Sequence, residues 1–214
     1  MKQAVSGLVL SFAASASGAL LLAFGVDTDE FSATTNQVLV FDLHNDHYHG
    51  YSWNNGTNPS GHVPMPFEAT PGGPVASLTL ASMDISPFNS SYGRFTTTGL
   101  ALANDFHLVL QSVTDENDVA VTGLQVAFWH GDHTHGMSAG SEEHLDLSET
   151  QQIDFSFANG AAQGAYYANF IITDEEGNYL DSSPFRIQVN AVPEPGTALL
   201  LSGVTFLLWG RRKR

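Results

Sequence analysis

Residues 165–173 have the sequence Ala165-Tyr166-Tyr167-Ala168-Asn169-Phe170-Ile171-Ile172-Thr173. Successive side chains of an extended chain point to opposite faces, so Tyr166, Ala168, Phe170 and Ile172 share one face. Residues 174–178 then supply acidic, glycine and asparagine turn residues, and alternation resumes at Phe185, Ile187 and Val189. The stretch therefore predicts a β-hairpin with one apolar face.

The same two-residue period recurs along the body of the chain, and no helical period persists for twelve residues. The predicted strands span residues 37–43, 75–83, 106–113, 119–129, 153–157, 165–173 and 185–189. Residues 51–74 are rich in Gly, Pro and Asn, which predicts a long loop. Together these segments predict an all-β protein with a single antiparallel β-sandwich domain over residues 26–191.

The chain is strongly acidic. Its 214 residues include 7 Lys plus Arg and 22 Asp plus Glu, and the formal net charge is −15. Such a body repels phosphate backbones and anionic headgroups, which argues against nucleic-acid partners and peripheral membrane binding. There is no cysteine, so thiol nucleophiles, disulfides and thiolate zinc sites are excluded. Oxygen and imidazole chemistry remain.

The N-terminus has the pattern of a secretory signal peptide. Lys2 precedes an apolar run over residues 4–24, and small residues follow around Gly25. We predict a signal peptide over residues 1–25, with cleavage near Ala16 or Gly18 as the alternative positions. Export of the chain follows from this prediction.

The C-terminus combines a Val-Pro-Glu-Pro sequence, a short apolar run over residues 198–209 and the basic cluster 211–214. As a helix, residues 196–210 span only about 22 Å. The hydrocarbon core of a bilayer measures roughly 30 Å. The basic cluster should stay on the cytoplasmic side. The segment therefore predicts a marginal transmembrane helix, and a plain single-span anchor is the alternative interpretation.

These features resemble the PEP-CTERM sorting signal of bacterial surface and extracellular-matrix proteins, with Pro193, Glu194 and Pro195 as the triplet. The resemblance covers residues 192–214 and implies nothing about the body. It implies export, a transient membrane tether, processing by an exosortase-like protease, and location at the cell surface or in the extracellular matrix of a bacterium.

The pattern H-x-D-H-x-H-G-x-S occurs twice, at residues 44–52 and 130–138, each time directly after an apolar strand. Six of the 9 histidines lie in these two copies. A solvated polar loop has no reason to place the same residues in the same register twice. The repeat therefore predicts a shared chemical role for the two segments.

The spacing within each copy suits metal ligation. Histidines two apart on a strand project from one face, so the second and third histidines of each copy can approach one ion. The first histidine requires a bend, which the turn-forming pairs 45–46 and 131–132 can supply. Each aspartate either ligates or accepts the far ring N–H of a ligating histidine. Three imidazoles with a carboxylate or water would complete a tetrahedral shell.

Further donors follow the second copy at Glu142, Glu143, His144 and Asp146, whereas His62 and Glu68 follow the first. His107 lies alone in an apolar strand and is interpreted as structural. Each copy builds its own site, or the two copies share one. The predicted metal ligands are His44, Asp46, His47, His49, His130, Asp132, His133, His135, Glu142 and His144. The hypothesis fails if each ring lies farther than about 8 Å from its nearest neighbour.

Imidazole and carboxylate ligands without thiolate favour zinc, and copper is the second choice because copper(II) binds such sites more tightly by intrinsic order. The combination of signal sequence, paired histidine-rich strand ends and sorting tail also resembles a group of cyanobacterial PEP-CTERM proteins under zinc-uptake (Zur) control. That resemblance implies a surface protein that captures, stores or delivers zinc under zinc limitation.

Two other classes of function compete with zinc binding. A metal-dependent hydrolase would use an open zinc position. However, the order H-x-D-H-x-H differs from the H-x-H-x-D-H of metallo-β-lactamase-like enzymes. A structural matrix or biofilm protein with incidental histidines is the other alternative. The sequence favours a binding protein over an enzyme.

Overall fold

The computed structural model describes residues 20–44, 47–50, 66–73, 75–85, 95–96 and 105–193, with only the backbone for Leu20, 43–50 and 95–96. Its thirteen strands are β1 Leu20–Asp27, β2 Val38–His44, β3 His47–Gly50, β4 Phe67–Ala69, β5 Ala76–Ser82, β6 Phe95–Thr96, β7 Phe106–Asp115, β8 Leu124–His130, β9 His133–Met137, β10 Glu142–His144, β11 Thr150–Phe157, β12 Gly164–Asp174 and β13 Phe185–Ala191.

The strands form two sheets. The larger sheet has eight strands in the order β3-β2-β1-β5-β11-β8-β9, with β6 paired to β1. The smaller sheet has the order β10-β7-β12-β13-β4. Both are mixed, because β1 runs parallel to β5 and β4 runs parallel to β13. The predicted all-β sandwich is confirmed, but its sheets are not purely antiparallel.

One apolar core lies between the sheets. Strand β12 buries Tyr166, Ala168, Phe170 and Ile172 as the alternation predicted, and the hairpin with β13 is confirmed. Aromatic rings join the two sheets: the Phe24 ring in β1 lies 5.9 Å from the Phe106 ring in β7. Full burial of a Leu or Phe side chain contributes about 1.5–3 kcal/mol, so this interior holds the sandwich together.

All seven predicted strands appear, with one clear error at a boundary. The predicted segment 119–129 begins too early, because β8 starts at Leu124. Asp118 adopts a positive φ of 59° in a tight turn, and its neighbour Val119 donates its N–H to the Asp115 side chain. Residues 119–121 then pair with the end of β7, where Thr114 and Ala120 form an isolated antiparallel bridge, and β8 begins only after them. Part of the predicted loop 51–74 is also a strand, β4.

Strand β1 overlaps the segment predicted as a signal peptide. It pairs with β2 on one side and β5 on the other, and Leu22, Phe24 and Val26 are fully buried. Cleavage near Gly25 would remove most of a central strand. The alternative positions near Ala16 or Gly18 would leave it whole, although residues 1–19 lie outside the described part of the chain.

The C-terminal segment after residue 193 likewise lies outside the described residues, including the predicted helix over 196–210. In the described part of the chain there is no helix of the length and apolar character needed to cross a bilayer.

The two histidine repeats form equivalent hairpins. His44 pairs with His47 across β2 and β3, and His130 pairs with His133 across β8 and β9. In the second hairpin the turn-forming pair 131–132 forms the loop, as predicted, whereas residues 45–46 of the first lie outside the described residues. In the second loop Gly131 has a φ of 61°, a conformation that glycine adopts without steric cost.

Candidate metal centre

The second hairpin lies where the edges of the two sheets meet. Strand β9 ends the larger sheet, and β10 begins the smaller one. Only the turn over 138–141 separates them. Within this turn the Ser141 N–H donates to the Ser138 carbonyl, and Gly140 has a φ of 87°. This short crossing brings the side chains of β10 next to the histidines of β9.

All five histidines whose side chains the structure describes lie in one row along this edge. We call them the imidazole row: His107, His144, His130, His133 and His135. Neighbouring ring centroids are separated, in that order, by 5.8, 6.4, 6.0 and 4.9 Å. The rings therefore lie well inside the separation of about 8 Å at which the metal hypothesis would fail.

Four rings of the row have one nitrogen against a carboxylate, and His107 is described below with its own group of donors. His133 Nδ1 lies 2.9 Å from Asp132 Oδ1, His135 Nδ1 lies 3.1 Å from Glu143 Oε2, and His144 Nε2 lies 3.0 Å from Asp105 Oδ1. An ionised carboxylate only accepts hydrogen bonds, so the facing ring nitrogen carries the proton. In the neutral ring the other nitrogen then keeps its lone pair for a metal.

Electrostatics keep two of the nearby carboxylates ionised. The hydrogen bond from His133 is the main reason that the pKa of Asp132 lies below its ordinary value of 3.8. Hydrogen bonds from the Ser148 side chain and backbone lower the pKa of Asp146, and the neighbouring His144 and His130 lower it further. The row is thus surrounded by negative charge, which favours a bound cation.

A further group of donors lies at the start of β7. Asp105 Oδ1 is 3.0 Å from His107 Nε2, which is also 3.3 Å from Glu175 Oε2. Together the three donor atoms lie within 4.8 Å of one another. From the sequence His107 is expected to be structural, and the predicted ligands do not include Asp105 or Glu175. The Asp-x-His spacing of 105 and 107 is the one sequence signal that indicates this group of donors. Glu175 has no such signal, because it follows a different strand, β12.

The predicted ligands fall into two groups. The structure brings His130, Asp132, His133, His135 and His144 together in the row. Glu142 is the exception: it lies on the same side of β10 as His144, but among the described residues no ion pair or side-chain hydrogen bond joins it to the row. Its neighbour Glu143, on the opposite side of the strand, contacts His135 instead.

The first repeat copy lies elsewhere in the sheet. His44, His47 and His49 occupy β2 and β3, and their side chains, like Asp46, lie outside the described residues. Five strands separate β3 from β9. At about 4.8 Å per strand, the two hairpins lie roughly 25–30 Å apart along the sheet. One chain therefore does not bring its two copies to a single shared ion.

Comparison with known proteins identifies the tail. Residues 191–214 match the family model of the PEP-CTERM protein-sorting motif. The PEP-CTERM resemblance of the sequence is thus confirmed, and the motif indicates an exported bacterial protein sorted by exosortase to the surface or the extracellular space. The match covers the tail alone.

No curated protein matches the chain. Among solved structures, a family 123 glycoside hydrolase from Clostridium perfringens, studied for glycolipid glycan hydrolysis, is similar over 42% of this chain and 19% of its own. The sequences are 11% identical and the TM-score is 0.28. A likeness this low carries no inference about activity.

Proposed function

We propose that this exported protein binds zinc through the imidazole row, with His133 and His135 as the central ligands. The observation that carries the proposal is the pairing of each ring with its own carboxylate, Asp132 and Glu143. Metal-ligating histidines almost always donate their second ring N–H to such a group, which fixes the tautomer and the ring orientation. The carboxylate partners therefore pre-orient two imidazoles for one cation.

The separation of the two rings also suits a tetrahedral ion. Zn–N bonds of about 2.0–2.1 Å at tetrahedral angles place two imidazole centroids about 5 Å apart. The His133 and His135 centroids are 4.9 Å apart, with their planes tilted by 40°. His130, whose centroid is 6.0 Å from that of His133, is the nearest third ligand. Water would complete the shell.

The exposure of the row favours exchangeable zinc over a structural ion. The side chains of His133, His135 and His144 are 57%, 45% and 52% exposed. Structural zinc sites are closed by four protein ligands, whereas an open site exchanges its ion with the medium. An exposed site on an exported protein suits capture, storage or delivery of zinc outside the cell. This agrees with the role that the zinc-responsive resemblance implies.

Zinc is the proposed ion because the donors are imidazole and carboxylate and the chain has no cysteine. Copper(II) would bind the same donors more tightly when available. Zinc and copper are therefore compared directly in the experiment below.

The proposal is tested by measuring the metal content and zinc affinity of the exported protein, purified without a polyhistidine tag. Wild type should carry zinc above trace stoichiometry, and His133→Ala/His135→Ala should lose the ion of the second hairpin. Thr134→Ala is the matched control, because Thr134 lies between the two histidines and points to the other side of β9. Copper in place of zinc would change the assigned ion. No metal in wild type would favour the structural matrix role.

A further inference from the structure

One end of the smaller sheet gathers donors that the histidine repeat does not include. Asp105 immediately precedes β7, His107 lies in β7, and Glu175 immediately follows β12. The neighbouring strands pair Thr173 with His107, and the Glu175 N–H donates to the Asp105 carbonyl at 2.9 Å. Backbone pairing therefore fixes the positions from which the three side chains meet.

The donor atoms are already close to the spacing of metal ligands. Atoms bound at about 2.0–2.2 Å to a tetrahedral ion lie about 3.3–3.6 Å from one another. His107 Nε2 lies 3.0 Å from Asp105 Oδ1 and 3.3 Å from Glu175 Oε2. His144 Nε2, 3.0 Å from the same Asp105 oxygen, becomes a fourth donor when its ring proton moves to Nδ1. Small outward movements of these side chains would admit an ion.

Charge balance also favours a cation here. The Asp105 and Glu175 carboxylates approach within 4.8 Å of one another. In the described part of the chain Arg186 is the single lysine or arginine, and it is bound to Asp118 at 2.7 Å. The two carboxylates thus have imidazoles as their nearest basic groups. A divalent ion would offset both negative charges.

We propose a second zinc site formed by Asp105, His107 and Glu175, with His144 as its fourth ligand. It is built from two oxygens and two imidazoles and does not depend on the repeat. Zinc on His107 Nε2 requires the ring proton to lie on Nδ1, a buried nitrogen with no hydrogen-bond partner among the described residues. Because ligating histidines without such a partner typically bind 10–100-fold more weakly, this is the weaker site.

The test counts zinc ions bound to the exported protein by calorimetric titration. Asp105→Asn/Glu175→Gln should lose one weak equivalent relative to wild type. Glu175→Gln alone, a change on an exposed turn that leaves the core intact, should weaken that equivalent at least about tenfold. Glu176→Gln is the matched control, because it removes one negative charge from the same turn and should change nothing. If Asp105→Asn/Glu175→Gln and Glu175→Gln both bind zinc as wild type does, the proposal is overturned.

A second measurement separates this site from the hairpin site. His133→Ala/His135→Ala should retain the weak equivalent, and the His107 Nε2 resonance in nitrogen NMR should still shift on addition of zinc. If the hairpin binds no zinc, that double variant will match wild type while the Asp105 and Glu175 variants still lose their ion. If the His107 resonance does not shift in wild type at saturating zinc, the second site is refuted independently of the first.

Discussion

The two histidine hairpins have the same pattern and the same pairing, but they have different neighbours. The first forms β2 and β3 at one edge of the larger sheet, and the second forms β8 and β9 at the opposite edge. The second is followed after a four-residue turn by a strand of the other sheet, β10, which contributes Glu143 and His144. After the first, the next strand in the described part of the chain is β4, which begins at Phe67. The repeat specifies a hairpin, and the adjacent sheet edge specifies the surroundings of its imidazoles.

A single register position shows the difference most clearly. The third histidine of the second hairpin, His135, is paired with Phe128, a fully buried core residue, and receives its carboxylate from β10. The equivalent His49 is paired with Asp42, which is buried in β2. The first hairpin thus has an acid in the paired strand itself. The carboxylate that contacts His135 thus comes from a strand outside its hairpin, whereas the register of the first hairpin places an acid opposite His49.

The largest expected effect is the loss of stability when β1 is removed. This strand supports the first hairpin directly, because it pairs with β2. A chain that starts at Val26 lacks the fully buried Leu22 and Phe24. Loss of either side chain typically costs about 2–5 kcal/mol, so urea unfolding should show a loss of at least about 4 kcal/mol relative to a chain starting at Ser17. Mass spectrometry of the exported protein should accordingly place its N-terminus before β1. An N-terminus at Val26 with unchanged stability would contradict this role of β1.

The second effect tests whether the hairpins bind metal independently. His133→Ala/His135→Ala and His47→Ala/His49→Ala should each remove about half of the hairpin-bound zinc, and the quadruple variant nearly all of it, because the hairpins lie on opposite edges of the sheet. Zinc content by mass spectrometry measures each share. Complete loss in either double variant would indicate a site shared between two chains.

The third effect concerns pH. Protons and zinc compete for the same imidazole lone pair, and ordinary imidazoles take up protons near pH 6.5. Below about pH 6, a site with two imidazole ligands should lose about 100-fold in affinity per pH unit. The pKa of Asp132 lies below 3.8, so this carboxylate stays charged over that range and the loss reports the imidazoles. Affinity unchanged down to pH 4 would mean that carboxylates alone hold the ion.

The smallest effect isolates the contribution of β10. Glu143→Gln removes the acceptor that fixes the His135 ring, and loss of such a partner lowers metal affinity about 10–100-fold. The affinity should fall at the second hairpin and remain unchanged at the first. Glu142→Gln removes a neighbouring charge that does not contact His135, so it serves as the control and should leave both affinities unaltered. Equal losses in both glutamate variants would indicate a general effect of charge.

Local patterns in the sequence predicted much of the fold. Alternation identified β12 and β13, turn residues marked the hairpin loops, and the C-terminal triplet identified the sorting motif. Sequence patterns did not predict strand β1. The apolar run that includes it also satisfies the requirements of a signal peptide, and from the sequence it is interpreted as one. Short edge strands such as β10 carry too few residues for a periodic signal.

The sequence by itself determined the all-β class, the sorting motif and the repeated histidine segments, because each depends on residues close together in the chain. Only the tertiary structure decided that the hairpins lie on opposite edges, that Glu143 rather than Glu142 contacts His135, and that Glu175 meets Asp105 and His107. These contacts depend on which strands become neighbours. That order is set by burial of a common core between two sheets, which no local pattern encodes.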